Sequence, residues 1–415
     1  MACLAEAEVE CRIETPEKGI DPAIYSLLLL STNVAALVTD VPSLNGPIPA
    51  IRPDSIEFSK RRTSDFVHPG IWHTHEDLER IRNGVLEDRE PWASAYESFS
   101  KDSYSLSSYS MQGPEAVISR GSVSNQTSFT NDARAAWQNA LMWYITKDQS
   151  HWTIATTILD GWGSNLTNII GTDRSLLVGL EGQFFVNAAE IMRWEGNWTE
   201  AGAQWQGGSG FSIQLYWLFA RQSVIVGQAN YGMVSISALL SFAVYLDDVA
   251  MYNYALDMYQ NDLCGGIQGN IEPQTGQGAE SGRDQSWAAT AARTVQSQGG
   301  DLYSFADKNL LKGAEYAAQF NLNYSVPYDP SFYRCEAVLV NGPWPVISSL
   351  RKGLTRPVWD ILYYQFVQRM GISSKWLQMV KSKAPVEARF TSADLPSWGD
   401  LIWAYSGSSG TNSTS

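Results

Sequence analysis

Apolar residues recur at intervals of three and four positions along most of the chain from about Pro69 onward. Two examples are Ala133, Ala136, Trp137, Ala140, Leu141 and Tyr144, and then Val358, Ile361, Leu362 and Phe366. A helix places such positions on one face, whereas a half-buried strand alternates apolar and polar residues. Because alternation of that kind is scarce here, the pattern predicts an almost wholly helical protein.

A short pattern beginning with aspartate recurs three times, from Asp148, Asp248 and Asp307. Each aspartate is followed by a large apolar residue, an alanine and a second apolar residue at helical spacing. Aspartate at or near the N-cap binds free backbone N–H groups, and a small alanine allows close helix packing. Each copy follows another helical segment after a short turn, which predicts repeated helical hairpins.

Helical hairpins assemble either into an open solenoid or into a closed α/α toroid. The unequal spacing of the three copies disfavours a solenoid, whose repeat is regular. We therefore predict an all-α protein with an (α/α) toroid fold, an incomplete barrel of helical hairpins. The toroid domain is expected to span residues 66–405 as a single catalytic domain, preceded by a leader and linker at 1–65 and followed by a flexible tail at 406–415.

The segment before the toroid contains an apolar run at residues 26–38 that is too short to span a bilayer and resembles the core of a signal peptide. The residues before the run are acidic, where a signal peptide carries basic residues. Either translation begins downstream of Met1 or the run is an ordinary buried segment.

Asn-x-Ser/Thr sequons fit a secretory route because such sites become surface glycans only there. They are Asn125, Asn165, Asn197, Asn323 and Asn412. Cys3 and Cys11 would be lost with the leader, which leaves Cys264 and Cys335 either as one disulfide or as two buried thiols. We expect a secreted, extracellular, monomeric glycoprotein without a membrane partner.

The net charge of −14 argues against nucleic acid as a partner, since phosphate binding requires a basic face. An anionic polysaccharide would be repelled as well unless arginines are concentrated in the cleft. The 16 Trp suit a protein that presents flat aromatic surfaces to sugars, although most of them should lie in the core. The sequence contains no Gly-x-Ser-x-Gly elbow, P-loop or dinucleotide fingerprint, so serine hydrolase and nucleotide chemistry are disfavoured.

Three of the four histidines, His68, His73 and His75, lie close together. No cysteine or carboxylate cluster of metal-ligand spacing accompanies them, so we predict neither a metal nor a cofactor. The segment is instead interpreted as the start of the first helix, capped by Thr74 with Asp77 at the capping-box position.

The densest polar stretch is a glycine-rich segment at residues 265–287. It brings Glu280, Arg283, Asp284 and Gln285 to the start of a predicted helix, where a helical scaffold can place functional groups. The alternative is a capped surface loop with an internal Arg–Asp pair.

Five stretches carry a resemblance to a known family, and the most specific is Glu-Ser-Gly-Arg-Asp-Gln at 280–285. The others lie at 131–144, 177–190, 310–317 and 356–363. Together they resemble the alginate-lyase-like polysaccharide lyases with an α/α toroid, and in particular polysaccharide lyase family 38, which acts on glucuronan and alginate. The resemblance covers roughly residues 68–372.

This resemblance implies cleavage of a uronic-acid polysaccharide by β-elimination. Asn230 matches the family's residue that neutralises the substrate carboxylate, and Glu280 and Arg283 are expected to stabilise the enolate-like intermediate with it. A tyrosine would transfer the proton. Tyr333 is the first candidate because it lies in an irregular polar segment, and Tyr231 and Tyr363 are alternatives.

One position departs from the family, because Trp287 follows Gln285 where the compared members carry histidine. If that histidine is the family's base for one epimer, this protein uses a tyrosine alone, acts on a different uronate or is inactive, and we expect glucuronan as the first substrate rather than alginate. Residues expected to bind the anionic polysaccharide are Tyr231, Gln285, Trp287, Arg334, Arg351 and Arg356. Two alternative functions stay open: an α/α-toroid glycoside hydrolase with carboxylates on opposite faces of the sugar, and a catalytically silent glycan-binding protein.

Overall fold

The computed structural model describes residues 56–201, 210–223, 227–279, 283–332, 345–349, 352–353, 357–383 and 396–405. Its helices are α1 (His75–Leu86), α2 (Trp92–Ser100), α3 (Thr127–Thr146), α4 (Gln149–Asn165), α5 (Arg174–Trp194), α6 (Phe211–Gln214), α7 (Arg221–Ser223), α8 (Ala229–Leu246), α9 (Val249–Asn261), α10 (Ile267–Asn270), α11 (Arg283–Ser297), α12 (Phe305–Asn321), α13 (Trp359–Tyr363), α14 (Lys375–Lys383) and α15 (Gly399–Ile402). The π-helical segments Leu215–Ala220 and Tyr364–Arg369 extend α6 and α13. Two short strands, β1 (Val117–Ser119) and β2 (Asn168–Ile170), pair in parallel.

Four long helices, α3, α5, α8 and α11, pack side by side in chain order and form the inner row of the fold. Outer helices return the chain between them, with α4 packed on α3 and α9 packed on α8. Because the chain returns through outer helical segments between each inner helix and the next, the inner helices all begin at the same end. This arrangement of hairpins confirms the predicted α/α toroid.

The aspartate pattern holds at two of its three positions. Asp148 caps α4 by accepting the Ser150 N–H, and Asp248 caps α9 by accepting the Met251 N–H. Asp307 differs, because the N-cap of α12 is Ser304, while Asp307 has a left-handed φ of 53° and pairs with Lys312. The third copy therefore marks the first turn of a helix without capping it.

Helix α8 is the centre of the core. It packs against α5, α9 and α11, and nearly all of its side chains are buried. By length and composition α8 could cross a membrane, but 83% of it is buried inside the protein. An apolar surface on all sides is what a helix enclosed by other helices needs.

The predicted start of α1 is confirmed, since Thr74 and Asp77 form the capping box. The sequons at Asn125, Asn165, Asn197 and Asn323 are exposed, and Asn412 lies outside the described residues. Cys264 is disulfide-bonded. The other three cysteines, residues 1–55 of the predicted leader and linker, and the tail also lie outside the part of the chain that the structure describes.

Candidate functional site

A line of polar side chains joins three inner helices. Ser237 Oγ on α8 donates to Gln183 Oε1 on α5 at 2.9 Å and lies 3.0 Å from Thr290 Oγ1 on α11. Asn230 and the backbone of Arg283 stand seven positions before Ser237 and Thr290, which is about 10 Å nearer the helix starts. Asn230 and Arg283 therefore occupy the same level of neighbouring helices at one end of the toroid, which we call the start end.

Close backbone contacts hold the first turn of α8 in place. Ala229 N donates to Cys264 O at 3.1 Å. A Cβ on Gly232 would collide with Gly227 O and Gly265 Cα, so only glycine permits this approach. Asn230 is 3% exposed and lies inside the first turn. The N-cap of α8 is Gln228.

The neighbouring residue Tyr231 reaches the adjacent inner helix. Its hydroxyl donates to Asp173 Oδ1 at 3.1 Å. Asp173 occupies the N-cap position of α5, yet its side chain makes no capping hydrogen bond to its own helix. The half-buried Tyr231 thus connects the starts of α5 and α8 beside Asn230.

Gln285 and Trp287 are both 2% exposed in the first turns of α11. Gln285 Oε1 accepts no hydrogen bond from any residue in the described ranges, which is unusual for a buried amide. Trp287 belongs to the hydrophobic core. The indole is enclosed by core side chains and contributes packing, and the role of Trp287 in substrate binding stays a prediction.

Several predicted site residues lie outside the described residues: Glu280, Tyr333, Arg334, Arg351 and Arg356. Arg283 is the first residue of α11, and only its backbone is described. Tyr363 is half-buried at the end of α13, with its ring 5.4 Å from that of Tyr364. The structure thus brings Asn230, Tyr231, Gln285 and the backbone of Arg283 to the start end.

A second polar cluster lies at the opposite end of the inner helices. His68 Nδ1 is 2.7 Å from Glu190 Oε1 on α5, and its Nε2 is 2.9 Å from Asp247 Oδ1 just after α8. Its ring stacks on Trp194 at 4.4 Å. Burial alone would lower the pKa of His68, but the hydrogen bonds and charges of Glu190 and Asp247 raise it.

His73, which also belongs to the histidine-rich segment before α1, is buried in the core. Burial and the neighbouring Arg293 lower the pKa of His73 to about 3, so its imidazole is neutral. Neither ring nitrogen has a hydrogen-bond partner among the residues that the structure describes. Arg293 donates to Asp77 and to the Trp72 carbonyl. Burial alone would raise the pKa of Asp77, but the charges of Arg293 and Arg80 hold that pKa well below its usual range.

Among the described residues, no group of three or more histidine, cysteine, aspartate or glutamate side chains is arranged to hold a metal ion. The functional candidate that the sequence did not reveal is Asp173. An aspartate before a helix is an ordinary cap in sequence, and its contact with Tyr231 joins residues that are 58 positions apart.

No protein-family model matches this chain, and no curated protein matches it. Solved structures do match. Alginate lyase A1-III from Sphingomonas species A1 is 14% identical with a TM-score of 0.53, over 87% of this chain and 100% of that chain. A tyrosine-to-phenylalanine variant of alginate lyase A1-III, complexed with a tetrasaccharide, gives a TM-score of 0.55 at 14% identity over 87% of this chain and 100% of its own.

A histidine-to-alanine variant of the same lyase, also complexed with a tetrasaccharide, gives a TM-score of 0.54 at 14% identity. It covers 88% of this chain and 100% of its own. Similarity at this level of identity concerns the fold. The chain therefore has the α/α-toroid fold of the alginate lyases.

Proposed function

We propose that this protein is a polysaccharide lyase that cleaves a uronic-acid glycan by β-elimination. The observation that carries the proposal is the placement of Asn230 and Arg283 at one level of adjacent inner helices, with Tyr231 beside them. The toroid fold of the alginate lyases supports it. An amide, a guanidinium and a phenol are among the groups that the resemblance to the alginate-lyase-like lyases implies for this reaction.

The chemical difficulty of the reaction is the weak acidity of the C5 proton while the neighbouring carboxylate stays charged. Asn230 would donate its amide hydrogens to that carboxylate, and Arg283 would add positive charge as the enolate-like intermediate develops. A tyrosine would remove the C5 proton and protonate the departing glycosidic oxygen. Asn230, whose backbone is fixed in the first turn of α8, keeps its position during the reaction, which favours the charge-separated state.

Within this class we propose glucuronan as the first substrate and alginate as the second. The support is the resemblance to polysaccharide lyase family 38 together with the replacement of the family's histidine by Trp287. A single tyrosine on one face of the ring suits one uronate epimer better than two.

We further propose that the protein is secreted as a monomer. The exposed sequons and the disulfide bond of Cys264 support an oxidising compartment. If so, protein secreted by the native host should begin after the apolar run, near or beyond Ala36. Recovery of secreted protein that retains residues 1–25 would contradict the leader.

Product analysis tests the proposed reaction. A lyase leaves a ring double bond at each new non-reducing end, a hydrolase leaves saturated ends, and a binding protein leaves the polymer intact. Mass spectrometry of digests of glucuronan, polymannuronate and polyguluronate separates these outcomes.

A further inference from the structure

The side chain of Asp173 is unusual for its position. Aspartate directly before a helix normally accepts hydrogen bonds from the free N–H groups of the first turn, as Asp148 and Asp248 do in this protein. Asp173 stands at the N-cap of α5 and makes no such bond. The carboxylate accepts the Tyr231 hydroxyl instead, at 3.1 Å. The carboxylate at this cap position thus binds a tyrosine from a neighbouring helix instead of the N–H groups of its own helix.

The same tyrosine directly follows Asn230, whose helix start is fixed by the Ala229–Cys264 backbone hydrogen bond. Asp173 is fixed as well, because its backbone N–H donates to Arg120 O at 3.1 Å next to the β1–β2 pair. The adjacent Arg174 is held by Gln222 Oε1 at 2.9 Å. The backbone is therefore held in place by hydrogen bonds at both residues of the Tyr231–Asp173 pair.

We propose that Asp173 is the positioning residue of the reaction, holding the Tyr231 hydroxyl beside Asn230 and accepting its proton, so that Tyr231 is the proton-transfer group. This inference rests on the proposed lyase function. It replaces Tyr333 by Tyr231 in that role and assigns Asp173 a task that the sequence did not suggest.

The proton transfer balances without a further reactant. As the C5–H bond breaks, its proton passes to Tyr231 Oη while the hydroxyl's own proton passes to Asp173 Oδ1. The C5 electron pair forms the C4=C5 double bond and the C4–O bond breaks. The departing oxygen takes a proton from Tyr231, and Asp173 returns its proton to the tyrosine. A neutral phenol is a poor base, and the carboxylate removes that obstacle.

The test uses Asp173→Asn, which keeps the size and the acceptor oxygen of the side chain but cannot take up the proton. We expect kcat to fall by on the order of 100-fold, the usual contribution of a positioned acid or base, with KM changed only a few-fold. The residual rate should rise with pH toward about 10, where a tyrosine ionises without help. A merely structural role of Asp173 would not produce that alkaline recovery.

Three companion variants complete the experiment. Tyr231→Phe should abolish turnover in a folded protein, and Tyr333→Phe should retain most of it. Asp248→Asn, a cap exchange at the opposite end of the toroid, should leave kcat unchanged. Near-normal activity of Tyr231→Phe, or of Asp173→Asn at neutral pH, would overturn the inference. Failure of the wild-type protein to form unsaturated products would instead overturn the proposed function itself.

Discussion

The imidazole of His68 lies 2.7 Å from Glu190, and its second ring nitrogen lies 2.9 Å from Asp247. A neutral imidazole carries a single N–H and can donate to only one carboxylate, so while Glu190 and Asp247 are both ionised the two hydrogen bonds require a protonated His68. The His68 side chain is 9% exposed. Arg193, on the same helix as Glu190, contributes a positive charge that lowers the pKa of Glu190. In its protonated form, His68 therefore links the segment before α1 to the ends of α5 and α8 through both hydrogen bonds.

This geometry predicts a pH-dependent stability. A histidine whose pKa is raised in the folded state stabilises fully below its unfolded pKa of about 6.5, and that stabilisation is lost as the pH rises through the folded pKa. Burial also raises the pKa of Glu190, which acts in the same direction. Relative to His68→Gln, the wild-type protein should lose about 1–2 kcal/mol of unfolding free energy between pH 6 and pH 9.

Urea unfolding at a series of pH values measures this difference. His75→Gln is the matched control, because His75 pairs with Glu195 while its side chain is 57% exposed. That control should follow the wild-type curve closely. If His68→Gln shows the same pH dependence as the wild type, the histidine is not charged in the folded protein.

Asn230 is expected to act in the transition state more than in substrate binding. Asn230→Ala removes one preorganised donor, so kcat should fall by on the order of 100-fold or more while KM changes less. Asn261→Ala, an exposed asparagine on α9, should leave both constants unchanged. Steady-state kinetics on the preferred polymer decides the point, and a change in KM alone would assign Asn230 to binding.

The burial of Trp287 changes what its replacement by histidine should do. A smaller, polar ring in the core leaves a cavity, so Trp287→His should lower the unfolding free energy by about 2–4 kcal/mol. We expect no second uronate epimer to be accepted. Trp217→His, at a site that is 57% exposed, should change stability little. A stable Trp287→His protein with broader epimer range would place residue 287 at the substrate after all.

Lys381 holds together two buried carboxylates that join α13, α14 and α15. Its Nζ binds both Asp360 and Asp400, and burial together with Asp400 raises the pKa of Asp360 to about 7. Lys381→Met would leave both carboxylates without their cation, so we expect a loss of about 3–5 kcal/mol in unfolding free energy at neutral pH. The loss should shrink as the pH falls below 7, because Asp360 then becomes neutral. Lys383→Met, an exposed lysine on the same helix, should be silent.

The sequence predicts the features of this fold that arise within a few residues. Helical periodicity and the caps at Asp148 and Asp248 follow from local backbone chemistry, and so does the capping box of Thr74. Asp307 departs because three consecutive residues adopt left-handed angles that its pattern does not encode. The Asp173–Tyr231 contact could not be predicted, because it depends on how two inner helices pack.

The candidate site was predictable only in part, because some of its features depend on how the helices pack. Asn230 and Arg283 were identified by resemblance, and the fold places them on adjacent helices at one level. The burial of Trp287 depends on the tertiary packing of α11, which a motif comparison does not contain.

The most direct test of lyase activity is ultraviolet absorbance during incubation of the purified protein with glucuronan, polymannuronate and polyguluronate, each in parallel with Asn230→Ala. We predict that absorbance from the new C4=C5 double bond rises with at least one polymer, fastest with glucuronan, and that the variant reduces the rate by on the order of 100-fold. Shortened polymer without a rise in absorbance would indicate hydrolysis. Unchanged polymer in all three incubations would contradict the lyase assignment.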